Sequence, residues 1–207
     1  MTLIGEAKLY LKLSHENLPK LSGMLLQYNK ISACLAPFDG VCMYILLQRS
    51  PQKIDALRIS IIEQVISLTQ YLHSTGNLVR NFYLGNFFLV KSGIIKLCNM
   101  TDVVPKCEHA KSLVGTRPRL PPECREKSGF SVAADTWSIG WLGLLIWTKN
   151  TALEGGKRLN ISDLYVNDSA DFYHVLYNLL KVNPESRPLL PDVLAILTSI
   201  MNLNDTM

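Results

Sequence analysis

Residues 71–101 read YLHSTGNLVRNFYLGNFFLVKSGIIKLCNMT. An apolar helical stretch closes on Tyr71-Leu72-His73, and Gly76 ends it. Phe87 to Val90 and Ile94 to Cys98 then carry β character around Lys91-Ser92-Gly93, a spacing that predicts a hairpin. Between helix and hairpin lies Val79-Arg80-Asn81-Phe82-Tyr83-Leu84-Gly85-Asn86, polar and apolar by turns and periodic in neither sense.

Working outward from this stretch, apolar residues at Leu57, Ile61, Ile62, Val65, Ile66, Leu68 and Leu72 recur at i, i+3, i+4, which predicts one long helix from Ser50-Pro51 to His73. Upstream, residues 5–14 read as a short helix ending at Ser14 to Asn17. Leu21 to Leu26 and Ile31 to Leu35 read as short strands about the turn Tyr28-Asn29-Lys30, with a turn-rich Pro37-Phe38-Asp39-Gly40 after them. Downstream, Thr101 to Arg125 has no pattern and is rich in Pro and Gly, so it reads as a loop of functional length. Ala133 to Thr148 is an almost wholly apolar helix, and residues 169–182 and 189–203 are two more, divided by Asn183-Pro184. This order defines an α+β protein whose C-terminal two-thirds is mainly helical.

The 207 residues are 48% hydrophobic and 18% charged, which excludes wholesale disorder. The net charge of +4 is scattered, so nothing points to nucleic acid. The longest apolar stretch, Trp137 to Trp147, is far below the roughly 18–20 residues of a membrane span. The first dozen residues read as no signal peptide, and the expected location is cytoplasmic. Sequons at Asn99, Asn160, Asn167 and Asn204 are then chance matches. The five cysteines form no C-x-x-C pair and Cys107-x-His109 alone makes no zinc site, so the thiols are expected reduced and mostly buried.

Six patterns in order resemble a eukaryotic protein kinase domain, nearest its tyrosine-kinase and tyrosine-kinase-like branches. Glu6, Ala7, Leu13, His15, Asn17, Leu18, Leu21 and Gly23 resemble the C-helix and the strand after it. Val79 to Leu89 lies where the family writes H-R-D-L-K-P-E-N-I-L-L. Ile95-Lys96-Leu97-Cys98-Asn99-Met100-Thr101 lies at I-K-L-x-D-F-G. Gly115-Thr116 through Pro121-Pro122-Glu123 lies at the A-P-E segment, Asp135-Thr136-Trp137-Ser138-Ile139-Gly140 at D-V-W-S-x-G, and Asn183-Pro184-x-x-Arg187-Pro188 closes the series. The resemblance implies a kinase-like fold, with a partial N-lobe over residues 1–38 and a C-lobe over 39–207.

It also implies a chemistry from which this sequence departs. The family's catalytic-loop Asp orients the substrate hydroxyl and takes its proton; Asn81 stands there. The D-F-G aspartate ligates Mg²⁺, and its triplet is here Asn99, Met100 and Thr101. Tyr83 replaces a catalytic-loop cation, whereas Arg80 and the second metal ligand, Asn86, match the family. Reading Asp102 as a slipped metal ligand displaces Ile95-Lys96-Leu97 from register. Five residues precede Glu6, leaving no room among them for the Gly-rich loop and the lysine strand. Neither G-x-G-x-x-G nor V-A-x-K occurs in the 207 residues. Glu6 is therefore expected to lack a lysine partner.

What the resemblance leaves is architectural. Asp135 corresponds to an aspartate that holds catalytic-loop backbone, Glu123 and Arg187 to a buried ion pair, and Trp137 to core packing. The leading expectation is a pseudokinase, a binding module whose partner is a protein such as an active kinase or a kinase substrate, with no cofactor. The alternative is a fragment of a divergent kinase with residual ATP and Mg²⁺ binding. A third reading is an inert product that folds poorly alone.

Overall fold

The computed structural model describes residues 3–27, 30–106, 119–125, 129–151 and 170–204. Helix α1 (Leu3–Lys12) lies against an antiparallel ribbon of β1 (Leu21–Gln27) and β2 (Lys30–Leu35), burying Ala7 and Tyr10. The intervening turn residues 28 and 29 lie outside the described residues. A second antiparallel sheet has the order β3-β5-β6, from β3 (Gly40–Cys42), β5 (Phe87–Val90) and β6 (Ile95–Leu97). Gly93 turns that hairpin at φ 85°, a conformation that costs a residue without Cβ nothing. A short pairing of β4 (Asn77–Leu78) with β7 (Val104–Pro105) follows.

Helices build the rest: α2 (Met43–Arg49), α3 (Arg58–Ser74), α4 (Pro122–Arg125), α5 (Val132–Thr148), α6 (Ala170–Leu179) and α7 (Leu190–Asn204). The centre is α5, buried without interruption from Ala134 to Ile146. Its N-cap Ser131 accepts from the Ala134 amide, and it stops at Lys149 in the left-handed region, φ 55°. Packing α5 this tightly leaves no room for a Cβ at Gly140, and room for one at Gly143 only if a leucine methyl moves aside. A Cβ at Gly140 would lie 2.7 Å from the Leu179 Cβ, and one at Gly143 would lie 2.6 Å from Leu176 Cδ2. The helix is apolar because every face meets protein; among the described residues no helix is long and apolar enough to cross a membrane.

The structure corrects the expected single helix over 50–73. Pro51–Leu57 form a 3₁₀ segment, and α3 begins only at Arg58. The cause is tertiary: Lys149, at the end of α5, reaches the two Asp55 carboxylate oxygens at 2.6 and 2.8 Å, and Arg58 lies over the Trp147 ring at 4.1 Å. The 3₁₀ segment is thereby drawn toward the C-terminal end of α5, with Ile54 fully buried. Helix α2 has no side-chain N-cap and gave no sequence signal. The expected long loop contains β7 and α4, while residues 107–118, with Cys107, His109 and Gly115-Thr116, lie outside the described residues; so do the sequons at Asn160 and Asn167.

A buried polar junction joins the ribbon to the helical part. The Asn17 amide donates to Gln64 Oε1 at 2.9 Å and to the Ile95 carbonyl at 2.7 Å, and Gln64 Oε1 also accepts from the Ile95 amide. Gln64 Nε2 in turn donates to the Gly93 carbonyl, fastening the hairpin turn to α3.

The cysteines differ from expectation. Cys34 is exposed, Cys42 and Cys98 are partly buried, and only Cys124 among the described ones is fully buried; all four are free thiols. Burial pushes the Cys98 and Cys124 thiols up to about 12, so neither is appreciably a thiolate near neutrality. At pH 8, iodoacetamide should therefore modify the exposed Cys34 first and reach Cys98 and Cys124 only on unfolding. Peptide mass spectrometry reads the order, and labelling of Cys124 as fast as Cys34 would contradict it.

Candidate functional site

The segment after α3 cannot hold its shape alone. Arg80 sits at φ 67°, a left-handed conformation that costs a residue with a Cβ roughly 1–2 kcal/mol. Asp135, in the first turn of α5 and fully buried, holds it there. Its Oδ1 accepts from the Arg80 amide at 2.8 Å, and its Oδ2 from the Val79 amide at 2.8 Å and from His73 Nε2 at 2.7 Å. The carboxylate therefore joins the end of α3, the loop and α5 in one low-dielectric junction. The Arg80 side chain runs the other way, donating from Nε to the Asp102 carbonyl at 2.6 Å and lying over the Phe130 ring at 5.7 Å.

The three asparagines singled out in the sequence come together. Asn99 Nδ2 donates to Asn86 Oδ1 at 3.3 Å, and Asn86 Nδ2 donates to the Asn81 carbonyl at 3.4 Å. Asn99 Oδ1 accepts from the Thr101 amide at 3.0 Å, closing a local turn. Asn81 Nδ2 donates to Asp102 Oδ2 at 2.7 Å, so the Asp102 carboxylate is spent on that amide. Glu6 reaches the same segment from α1: it accepts from the Met100 amide at 2.9 Å and from the Thr101 hydroxyl at 3.2 Å. Among the described residues, no three His, Cys, Asp or Glu side chains are grouped as a metal site.

Tyr83 occupies its position by packing. Its ring lies 5.9 Å from that of Tyr44, and the Arg119 guanidinium lies over it at 5.1 Å. A Cβ at Gly85 would fall 2.2 Å from the Tyr83 ring, so an aromatic at 83 and a glycine at 85 are matched.

The second anchor is Arg187, whose side chain is 1% exposed. Two parallel bonds of 2.6 and 2.8 Å reach the Glu123 carboxylate. The remaining donors go to the carbonyls of Ala133, Lys181 and Val182, and the guanidinium lies 5.0 Å from the Trp137 ring centre. All five N–H donors are used. Trp137 is core packing with a specific task, as the floor under this cation. Sequence reasoning assigned no role to Gln64 or to Asp102 as a partner of Asn81, and it read His73 only as part of the Tyr71-Leu72-His73-Ser74-x-Gly76 pattern that precedes the loop, with no bond to Asp135.

Replacing Asp135 with Ala orphans the buried Val79 and Arg80 amides, each worth roughly 1–3 kcal/mol. Urea unfolding should show a lowered midpoint with the slope unchanged; a midpoint equal to that of the unsubstituted chain would remove Asp135 as the anchor. Arg187→Lys keeps the charge but loses the fork, and should approach the roughly 3–5 kcal/mol of a broken buried pair. The same measurement checks it, a loss below about 1 kcal/mol being the contrary result.

Comparison with known proteins places these features. A probable serine/threonine-protein kinase of Dictyostelium discoideum is 27% identical over 149 residues, 70% of this chain and 30% of the relative. Human tyrosine-protein kinase TXK is 26% identical over 212 residues, covering 95% of this chain and 40% of TXK. Serine/threonine-protein kinase PLK1 of Xenopus laevis is 29% identical over 147 residues, 64% of this chain and 24% of that protein. The chain thus spans less than half the length of each of these relatives. The family pattern of the protein kinase domain matches residues 1–204, from Glu6 past Arg187, and the chain belongs to the protein kinase domain family.

Proposed function

We propose that this chain is a pseudokinase, a kinase-fold domain that acts by binding a protein partner. The observation that carries the reading is the set Asn81, Asn86 and Asn99, linked through the Asn99 and Asn86 side chains and the Asn81 main-chain carbonyl, at positions where a phosphoryl-transfer site needs two carboxylates. A neutral amide can hold a hydroxyl but cannot take its proton. As a donor set for Mg²⁺ the three do not fit: amide oxygens bring no negative charge, and Asn86 Oδ1 and Asn99 Oδ1 are already acceptors within the protein. Glu6 supports the same reading, because its two oxygens hold Met100 and Thr101. On this reading, residues 1–38 are part of an N-lobe and 39–207 the C-lobe, the setting is cytoplasmic, and the partner is an active kinase or a kinase substrate.

A second reading, a divergent enzyme with residual nucleotide binding, draws on the retained Arg80 and Asn86. One titration separates the two. Thermal shift with ATP and Mg²⁺ should leave the 207-residue chain unmoved, whereas a ligand present at 100-fold its Kd stabilises by about 2.7 kcal/mol. A magnesium-dependent shift at sub-millimolar ATP would favour the enzyme. The double variant Asn81→Asp with Asn99→Asp should also transfer no radiolabelled phosphate. It restores the charges but not a loop to cover the phosphates, and positioning accounts for roughly 7–11 kcal/mol of barrier lowering. It also sets a second carboxylate against Asp102 across the present 2.7 Å contact. Label incorporated by either form would overturn the binding-module reading.

A further inference from the structure

Away from the asparagines, a cavity of about 1080 Å³ opens between the end of α3, the first turn of α5, the segment 184–189 and α7. That volume is at the upper end of small-molecule sites, roughly 300–1,000 Å³. Its wall is mainly apolar, with Val132, Leu189, Leu190 and Leu194 among the lining residues, and it is stiffened by Pro184, Pro188 and Pro191, whose rings fix the backbone φ.

Two polar groups in this wall keep unused hydrogen-bonding capacity. His73 is 9% exposed, and its Nε2 must carry the hydrogen it gives to the Asp135 carboxylate, which only accepts. In the neutral ring Nδ1 is then an acceptor, and among the described residues it has no partner; nor has the Gln70 side-chain amide. With the ring taken as neutral, Nδ1 offers an acceptor to a ligand donor. The charges of the wall say what that donor is attached to. Among the described residues the one lining cation, Arg187, has spent every N–H on Glu123 and three carbonyls, while Glu185 stands at the exposed rim. An anionic head group would find no free cation here.

We propose that this cavity is a binding site for a neutral, largely apolar small molecule carrying one hydroxyl or N–H donor, which bonds His73 Nδ1. Because His73 holds Asp135, and Arg187 holds Glu123, the ligand touches the back of both anchors.

The probe is Nile red, an uncharged dye that brightens in apolar surroundings, titrated into the 207-residue chain and displaced by ten-carbon competitors. Saturable one-to-one binding is expected. 1-Decanol should displace the dye at concentrations at least tenfold below those needed by decanoate, which is charged, or by decyl methyl ether, which has no donor. Decanol should also raise Tm. Ala195→Trp, on the exposed face of α7 at the cavity wall, should abolish dye binding while the helical circular dichroism is unchanged. Should that variant misfold, a diazirine-bearing decanol must label peptides within 132–136 or 184–198 of the unsubstituted chain. The proposal is overturned by non-saturable dye uptake, by equal or better competition from decanoate or the ether, by dye binding that survives Ala195→Trp, or by labelling elsewhere.

Discussion

A single carboxylate, that of Asp135, sets the geometry on which the rest depends. It is fully buried, and that is tolerable only because two backbone amides and an imidazole N–H converge on its two oxygens. The return for that burial is the left-handed Arg80, a backbone turn that a residue with a Cβ avoids unless its surroundings over-determine it. Once Arg80 is so turned, its side chain meets Asp102 and Phe130, the Asn81 amide bonds Asp102, and the Asn81 main-chain carbonyl accepts from Asn86. The whole polar cluster is thus suspended from a residue at the start of α5.

The second anchor works by the same physics at the other side of the helix start. Arg187 is tied to Glu123 by a bidentate pair and to three carbonyls by its remaining donors, with Trp137 beneath it. Both anchors satisfy backbone and buried charge, and neither touches the positions at which this chain departs from phosphoryl-transfer chemistry. That separation explains how the architecture persists with asparagine at 81 and 99.

Much of this was legible in the residue order. The hairpin turn at Lys91-Ser92-Gly93, the apolar run that becomes α5, the role of Asp135 and the pairing of Glu123 with Arg187 all follow from local pattern or from motifs at familiar spacing. The contacts that surprised lie elsewhere. Asp55 and Lys149 are far apart in the chain, and no periodicity in 50–73 announces that their pairing replaces the first helical turns with a 3₁₀ segment. The glycine at 140 sits in a run otherwise read only as apolar, although it marks where α6 packs too close for a Cβ.

The sequence by itself determined the α+β class, the family of the fold and the asparagines at 81, 86 and 99, because each is written in neighbouring residues. Only the tertiary structure decided how those changes are absorbed: Asn81 bonded to Asp102, Asn99 to Asn86, Glu6 to the Met100 amide, and His73 left with one ring nitrogen facing no partner among the described residues. The physical reason is that hydrogen-bond satisfaction is settled in three dimensions. A side chain's partner is whichever buried donor or acceptor the packed helices leave within about 3 Å, and chain position does not encode that distance.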